Sequence, residues 1–279
     1  MMESTVRSTE QPPAEYFLAP DDPDFEKPFF PITFPQPEDR SSVVWRYMSF
    51  AKFLSLLDRK ALFFARLDKL GDPFEGSMTE VQRVLRKQLE EHGPVLHGTS
   101  ATMIKSKREN TIVNCWHMKD YESISMWERY VKGYEGIAVC STYERLESSF
   151  NIYDGRERQR NEDGTDLQLF VRIGMVKYIH YDRDEGDIEE LSLLKRREFE
   201  DEREVRAVVL DRSYLGDPHP TRFPTGGDYV PVDLTKLVEA VYVAPGAPEW
   251  FRRTVQSVVE RFGFHFPIRR SNLDGAPIY

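Results

Sequence analysis

Glu202-x-Glu204-x-Arg206 is the triplet in this chain whose types and spacing most suggest chemistry. Side chains alternate along a strand, so this spacing would set both carboxylates and the guanidinium on one face. Two carboxylates so close repel each other and raise a pKa unless a cation relieves them, and Arg206 would be that cation. Three further clusters stand out. Arg46-Tyr47-x-Ser49 closes an apolar run, where an arginine could grip a phosphate or carboxylate with its two-pronged fork. Gly71-Asp72-Pro73-Phe74-Glu75 holds Asp72 and Glu75 in a rigid turn, suited to a cation or a hydroxyl. Ser123-Ile124-Ser125-Met126-Trp127, with Tyr130, sets hydroxyls beside two aromatic rings, a surface for a flat, partly polar ligand. Each cluster also has a plain structural reading: a charged strand edge, an exposed strand residue, an Asp-Pro turn plugged by Phe74, a capped helix with two core aromatics.

Stronger signatures are missing. The sequence has no P-loop, no G-x-G-x-x-G, no G-x-S-x-G, no H-E-x-x-H and no paired C-x-x-C. The six histidines are scattered, without metal-ligand spacing. Two cysteines, Cys115 and Cys140, make no disulfide framework, so a cytoplasmic, reducing setting is expected. The N-terminus lacks the apolar stretch of a signal peptide, and no run approaches the roughly 20 apolar residues of a membrane span. A net charge of −9, from 38 basic and 47 acidic residues, argues against general nucleic-acid binding and leaves a small-molecule ligand as the expected partner.

The elements that must position these clusters follow from periodicity. Residues 1–40 carry eight of the 18 prolines and read as an N-terminal arm, partly disordered, ahead of one domain at 41–279. Ser42–Met48 predicts a strand and Ser49–Leu57 a helix, with Phe50, Phe53, Leu54 and Leu57 at i, i+3, i+4, i+7. Strands are expected at Ala61–Ala65, Thr111–His117, Gly136–Cys140, within Leu167–His180 with its centre at Gly174–Ile179, at the end of Glu198–Asp211, at Tyr229–Val232 and at Val238–Ala244, with an edge strand at Pro267–Arg270. Helices are expected at Met78–His92, Ser100–Lys107, Tyr143–Phe150, Ile188–Arg197 and Pro248–Phe262, and the capping-box spacing Ser125-x-x-Glu128, with Asp120 and Ser123 as rival caps, starts a short one whose Trp127, Tyr130 and Val131 face the core. Asp154–Asp166 and Asp217–Asp228 read as loops. The order lacks the β-α-β-α rhythm of a doubly wound fold. It predicts an α+β domain: a central, mostly antiparallel sheet of about six to eight strands surrounded by helices.

The four clusters together, W-R-Y-M-S-F, L-G-D-P-F-E, S-M-W-E-R-Y-V-K-G-Y-E-G-I-A-V and E-R-E-V-R, resemble in order the bacterial domain-of-unknown-function family 2971, over about residues 43–262. Gly71 stands where that family usually has Asn. The resemblance implies one domain with a shared site and names no reaction. The order of an Arg on the first strand, a Ser-x-Ser and a late Glu-x-Glu is also similar to the Arg-Ser-Glu class of mono-ADP-ribosyltransferases. That resemblance implies NAD as substrate. Arg46 would contact its phosphates or ribose, with Ser49 and Arg206 nearby. Ser123 or Ser125 would brace the site, and Trp127 or Tyr130 would stack on nicotinamide. Glu204 would stabilise the oxocarbenium-like transition state and Glu202 would orient the acceptor. The Ser-x-Ser here precedes a helix, where that class begins the motif on a strand.

Three functions compete on these residues. The first is ADP-ribosyl transfer or NAD cleavage, in a toxin or phage-defence setting. The second is a non-catalytic ligand-sensing or partner-binding module lined by Arg46, Trp127 and Tyr130. The third is a metal-dependent nuclease using Asp72, Glu75, Glu202 and Glu204, which lacks the usual lysine after the acidic pair.

Overall fold

The computed structural model describes residues 34–92, 101–150, 159–160, 166–167, 171–184, 186, 190–210, 221 and 223–275. Strand β1 (Val43–Ser49) leads into helix α1 (Phe50–Arg59), with Ser49 as its N-cap, and β2 (Ala61–Arg66) returns. After an irregular stretch come α2 (Glu80–His92), α3 (Ala101–Glu109) and β3 (Thr111–Met118). Helix α4 (Ile124–Tyr130), β4 (Gly136–Thr142) and α5 (Tyr143–Ser149) follow. Two-residue strands β5 (Gln159–Arg160) and β6 (Asp166–Leu167) pair with each other. Next are β7 (Val171–Met175), β8 (Lys177–Ile179), β9 (Leu194–Arg196) and β10 (Glu204–Leu210). The chain closes with β11 (Gly227–Pro231), α6 (Leu234–Leu237), β12 (Ala240–Val243), α7 (Glu249–Arg261) and β13 (Ile268–Arg269).

The fold is α+β, as expected. The central sheet has nine strands, one more than the upper end of the six to eight expected, and the edge strand expected at Pro267–Arg270 is the short β13. All its pairings are antiparallel except β12 with β13. The main core packs Phe53, Leu56 and Leu57 of α1, Leu146 of α5 and Phe251, Val255 and Val259 of α7 against Val44, Trp116, Val205 and Ala207 of the sheet. On the opposite face Trp45, Tyr47, Ala138 and Cys140 pack with Met126 and Trp127 of α4. Residues 34–40, which the sequence assigns to the arm, include a buried Phe34 and a Gln36 whose amide donates to Ile173 O at 2.8 Å. Residues 1–33, most of the expected loop at 154–166, and residues 217–220 and 222 of the expected loop at 217–228 lie outside the described residues, and that second loop ends in β11 at Gly227.

Two local expectations change. Ile188–Arg197 is not a helix over its described part: a 3-10 turn at Leu191–Leu193 runs into β9, whose pairing with β8 supplies the backbone partners a helix would have. The strand expected over Gly174–Ile179 divides at Val176, whose N–H donates to Glu204 O. Its first part, β7, stays in the central sheet and its second, β8, pairs with β9.

β3 is the branch point of the sheet. Its Ile112 and Val113 pair with β2, and its His117 with β1. The same residues also pair with β10, which runs along Thr111–His117. β1 and β2 therefore share the other edge of β3, one at each end. Between them Asn114, Cys115 and Trp116 have no strand neighbour on that edge, and the sheet forks. Side chains satisfy the polar groups there, as buried backbone requires: Arg46 Nη1 donates to Cys115 O at 2.6 Å, and Asn114 Nδ2 donates to Phe63 O at 2.8 Å.

Candidate functional site

The fork opens into a cleft of about 760 Å³, within the usual range for small-molecule sites. Arg46, Cys115, His117, Tyr130, Lys195 and Glu204 are among the residues that line it. Pairing register explains the assembly. Glu204 sits opposite His117 and Arg206 opposite Cys115 across β10 and β3, so all four side chains share one face.

Arg206 is 0% exposed and organises the cleft wall. Its Nε donates to Glu204 Oε1 at 2.8 Å, its Nη2 to Glu75 Oε2 at 2.7 Å, and its Nη1 to the Ser192 carbonyl at 2.6 Å. Lys195 reaches the same carboxylates from β9. Its Nζ lies 2.6 Å from Glu202 Oε2, 2.8 Å from Glu204 Oε2 and 3.5 Å from Glu75 Oε1. Arg129 of α4 closes the network on Glu202. Three carboxylates thus meet three cations, the full compensation that buried charge demands.

The titration behaviour follows. Burial works to raise the Glu204 carboxyl, but Arg206 and Lys195 outweigh it and hold it at about 2. Burial likewise works against the Lys195 ammonium, and Glu204, Glu75 and Glu202 more than restore it, so it stays protonated above its ordinary range. Burial, then the charge of Glu204, drives the Cys115 thiol far up, which leaves it a protonated donor rather than a nucleophile.

Arg46 is the exception to this pairing. Burial lowers its pKa, and its hydrogen bond is the one to the Cys115 carbonyl; among the described residues no carboxylate pairs with it. It faces the cleft as an uncommitted cation. Tyr130 lines the same space with 50% of its surface exposed.

The structure gathers Glu202, Glu204, Arg206, Arg46, Tyr130, Asp72 and Glu75 around one cleft, Arg206 and Glu75 deepest. It does not bring in Ser49, Ser123, Ser125 or Trp127. Ser49 is spent capping α1, accepting from Lys52 N. Ser123 and Ser125 bond to each other at 3.0 Å, and Trp127 packs edge-on against Tyr47 with its N–H on Glu122. Tyr130 does not share the core face of Trp127 and Val131. It goes instead with Met126 and Arg129, whose positions on the helix turn toward the cleft. Glu202 is not on a strand with Glu204: Arg203, at φ 38°, breaks the extended run, and the two carboxylates meet through Lys195. Phe74 plugs nothing. It is 41% exposed, edge-on to Tyr181 and under the Arg196 guanidinium.

Lys195, Arg129 and His117 are site residues that sequence reasoning left unassigned. Lys195 sits in a Lys-Arg-Arg run that reads as a solvated helix face, and only strand alternation from Leu194 would have turned it inward. The carboxylates of a metal-dependent nuclease are already committed to cations, Asp72 to Arg196 at 2.9 Å and the rest to the network above. Among the described residues no group of His, Cys, Asp and Glu is arranged to hold a metal ion.

No protein-family model matches the chain, so its motif likeness to family 2971 gains no support at family level. No curated protein matches it in sequence. In three dimensions the chain is similar to DarT of Thermus sp. 2.9. The complex with carba-NAD+ has a TM-score of 0.37 and 11% identity, over 86% of this chain and 98% of that one. The complex with ADP-ribosylated ssDNA has 0.38 and 10%, over 86% and 98%. The complex with NAD+ has 0.38 and 9%, over 88% and 100%. At that distance the likeness assigns no role to any residue.

Proposed function

We propose that the cleft binds NAD and that the protein breaks its nicotinamide–ribose bond, passing ADP-ribose to water or to an acceptor. The observation that carries this reading is the pairing, in one cleft, of an uncommitted cation with a permanently ionised carboxylate, Arg46 with Glu204. Arg46 offers its free guanidinium donors to the pyrophosphate oxygens. Tyr130 presents a ring edge or face for nicotinamide. Glu204, at a pKa of about 2, has no proton to give at working pH, so its part is electrostatic. It stabilises the ribose as the bond from C1′ to the nicotinamide nitrogen opens and its electron pair leaves with neutral nicotinamide. Water or an acceptor hydroxyl then adds to C1′ and loses its proton. Glu202, tied to Lys195 and Arg129, would orient the acceptor. A toxin or phage-defence setting would suit such an activity.

A second reading, a nucleotide-binding module without turnover, is favoured by one observation. Both Glu204 oxygens are already engaged, Oε1 by Arg206 and Oε2 by Lys195, so the carboxylate must loosen a contact before it meets a ribose.

Incubation with NAD, following nicotinamide release and the NAD-dependent shift in melting temperature, separates the two. Release by the wild type, lost in Glu204→Gln with the shift retained, supports the enzyme. A shift without release supports the module. Neither release nor shift overturns the NAD reading.

A further inference from the structure

His117 is 4% exposed, lines the cleft and stands opposite Glu204 across the β3–β10 pairing. Its Nδ1 lies 2.5 Å from the Glu202 carbonyl oxygen. A carbonyl can only accept, so Nδ1 carries the proton, and a neutral ring then has a bare lone pair on Nε2. That Nε2 is buried and has no hydrogen-bond partner among the described residues. A buried acceptor left unpaired costs free energy, so it is expected to meet a partner at some point in the working cycle. The carboxylates around it cannot be that partner, since they too are acceptors, and all are already taken by cations. The nearby ring, Tyr47, has its centroid 6.3 Å away, and its hydroxyl, which accepts from the Ser123 N–H, makes no hydrogen bond with Nε2. The backbone N–H of Glu204 is spent on the Tyr178 hydroxyl. The cleft wall therefore holds a guanidinium, Arg46, with no carboxylate partner among the described residues, and a buried neutral acceptor, His117 Nε2, with no donor.

We propose that His117 Nε2 binds the ligand by accepting a hydrogen bond from an O–H or N–H donor at the end of the molecule beside Glu204. The proposal rests on the NAD reading above, under which that donor is a hydroxyl of the nicotinamide ribose or the carboxamide N–H. It adds a selection rule. A ligand carrying only acceptors at that end, such as a carboxylate or a phosphate, leaves Nε2 unpaired and is discriminated against.

Two amide substitutions divide the two ring nitrogens. In His117→Asn the side-chain amide can keep donating to the Glu202 carbonyl from the Nδ1 position, with nothing at Nε2. In His117→Gln the amide oxygen can take the Nε2 position. NAD binding is measured by calorimetry on all three proteins. The expected result is affinity within a few-fold of wild type for Gln and about tenfold weaker for Asn, the value of one buried hydrogen bond lost. Wild-type affinity in Asn would overturn the proposal. So would Gln binding as weakly as Asn, which would leave only the tie to Glu202. No NAD binding by the wild type would bring down the NAD reading and this proposal together, whereas binding unaffected by Asn brings down this one alone. Wild-type protein with 15N-labelled histidine gives a readout that needs no variant: the Nε2 resonance moves from a free to a hydrogen-bonded acceptor on adding NAD, and an unmoved resonance under saturating NAD counts against the proposal.

Discussion

Replacing Glu204 by Gln removes one charge from a network whose charges balance, and the consequence has a definite pH signature. The carboxyl moves from an ordinary 4.5 in the unfolded chain to about 2 when folded. A folded pKa below the unfolded one contributes stability that is fully present above 4.5 and is lost as pH falls toward 2. That difference is worth on the order of 3 kcal/mol at pH 7, and by pH 3.5 about 2 kcal/mol of it remains. The amide of the variant has no such dependence. Urea unfolding of wild type and Glu204→Gln at a series of pH values should therefore show the variant less stable by about 3 kcal/mol at neutral pH, with the gap narrowing below pH 4.5. Other acids titrate in both proteins and cancel in the difference. A gap that stays constant from pH 7 to 3.5 would refute the reasoning, because it would mean that Glu204 titrates alike in both states and that Arg206 and Lys195 do not hold it ionised.

Four more outcomes follow from the same geometry. Lys195→Met strands carboxylates against one cation fewer and should cost about 3–5 kcal/mol by urea unfolding, as breaking a buried ion pair does. Arg46→Gln should lose the NAD-dependent rise in melting temperature while losing no more than about 1 kcal/mol of stability without ligand, the value of its one bond to the Cys115 carbonyl, since no carboxylate among the described residues pairs with Arg46. Gly76→Ala should destabilise by roughly 1–3 kcal/mol in thermal unfolding: Gly76 sits at φ +70°, and its Cβ would fall 2.4 Å from Leu67 Cδ2 in the turn that carries Glu75. Cys115 in the folded protein should react with iodoacetamide at pH 8 far more slowly than in urea, because burial and Glu204 keep the thiol protonated; equal rates by mass spectrometry would contradict this.

What the sequence conveys well here is local, and what it conceals is made by long-range pairing. Alternation along Val205–Val209 separates a core-facing apolar row from the face of Glu204 and Arg206, and the structure keeps that separation. The amphipathic period of α7 is as legible, with Phe251, Val255 and Val259 inward. Glu75 joining Arg206 over 131 residues has no local signal, because the Asp-Pro turn that lifts it reads equally well as a surface loop. The helical pattern of α4 misleads by a single position: Trp127 and Val131 go to the core, while Tyr130, one residue before Val131, turns about 100° away, to the cleft. Ser123 is buried beside Trp127 while Ser125 is exposed, and neither lines the cleft, so a cluster of suggestive residues divides between environments. The fork in β3 makes that division matter. β1 and β2 each satisfy only part of one edge of β3, and no local propensity encodes that two strands will share an edge rather than extend it. Where they diverge, Asn114 and Arg46 take up the backbone groups that a continuous strand would have paired. Arg46 thereby has a carbonyl as its anchor and no carboxylate as its partner. The same break in pairing that opens the cleft thus leaves Arg46 inside it with no carboxylate partner among the described residues, which is why a feature of sheet topology and a feature of ligand chemistry fall at one place.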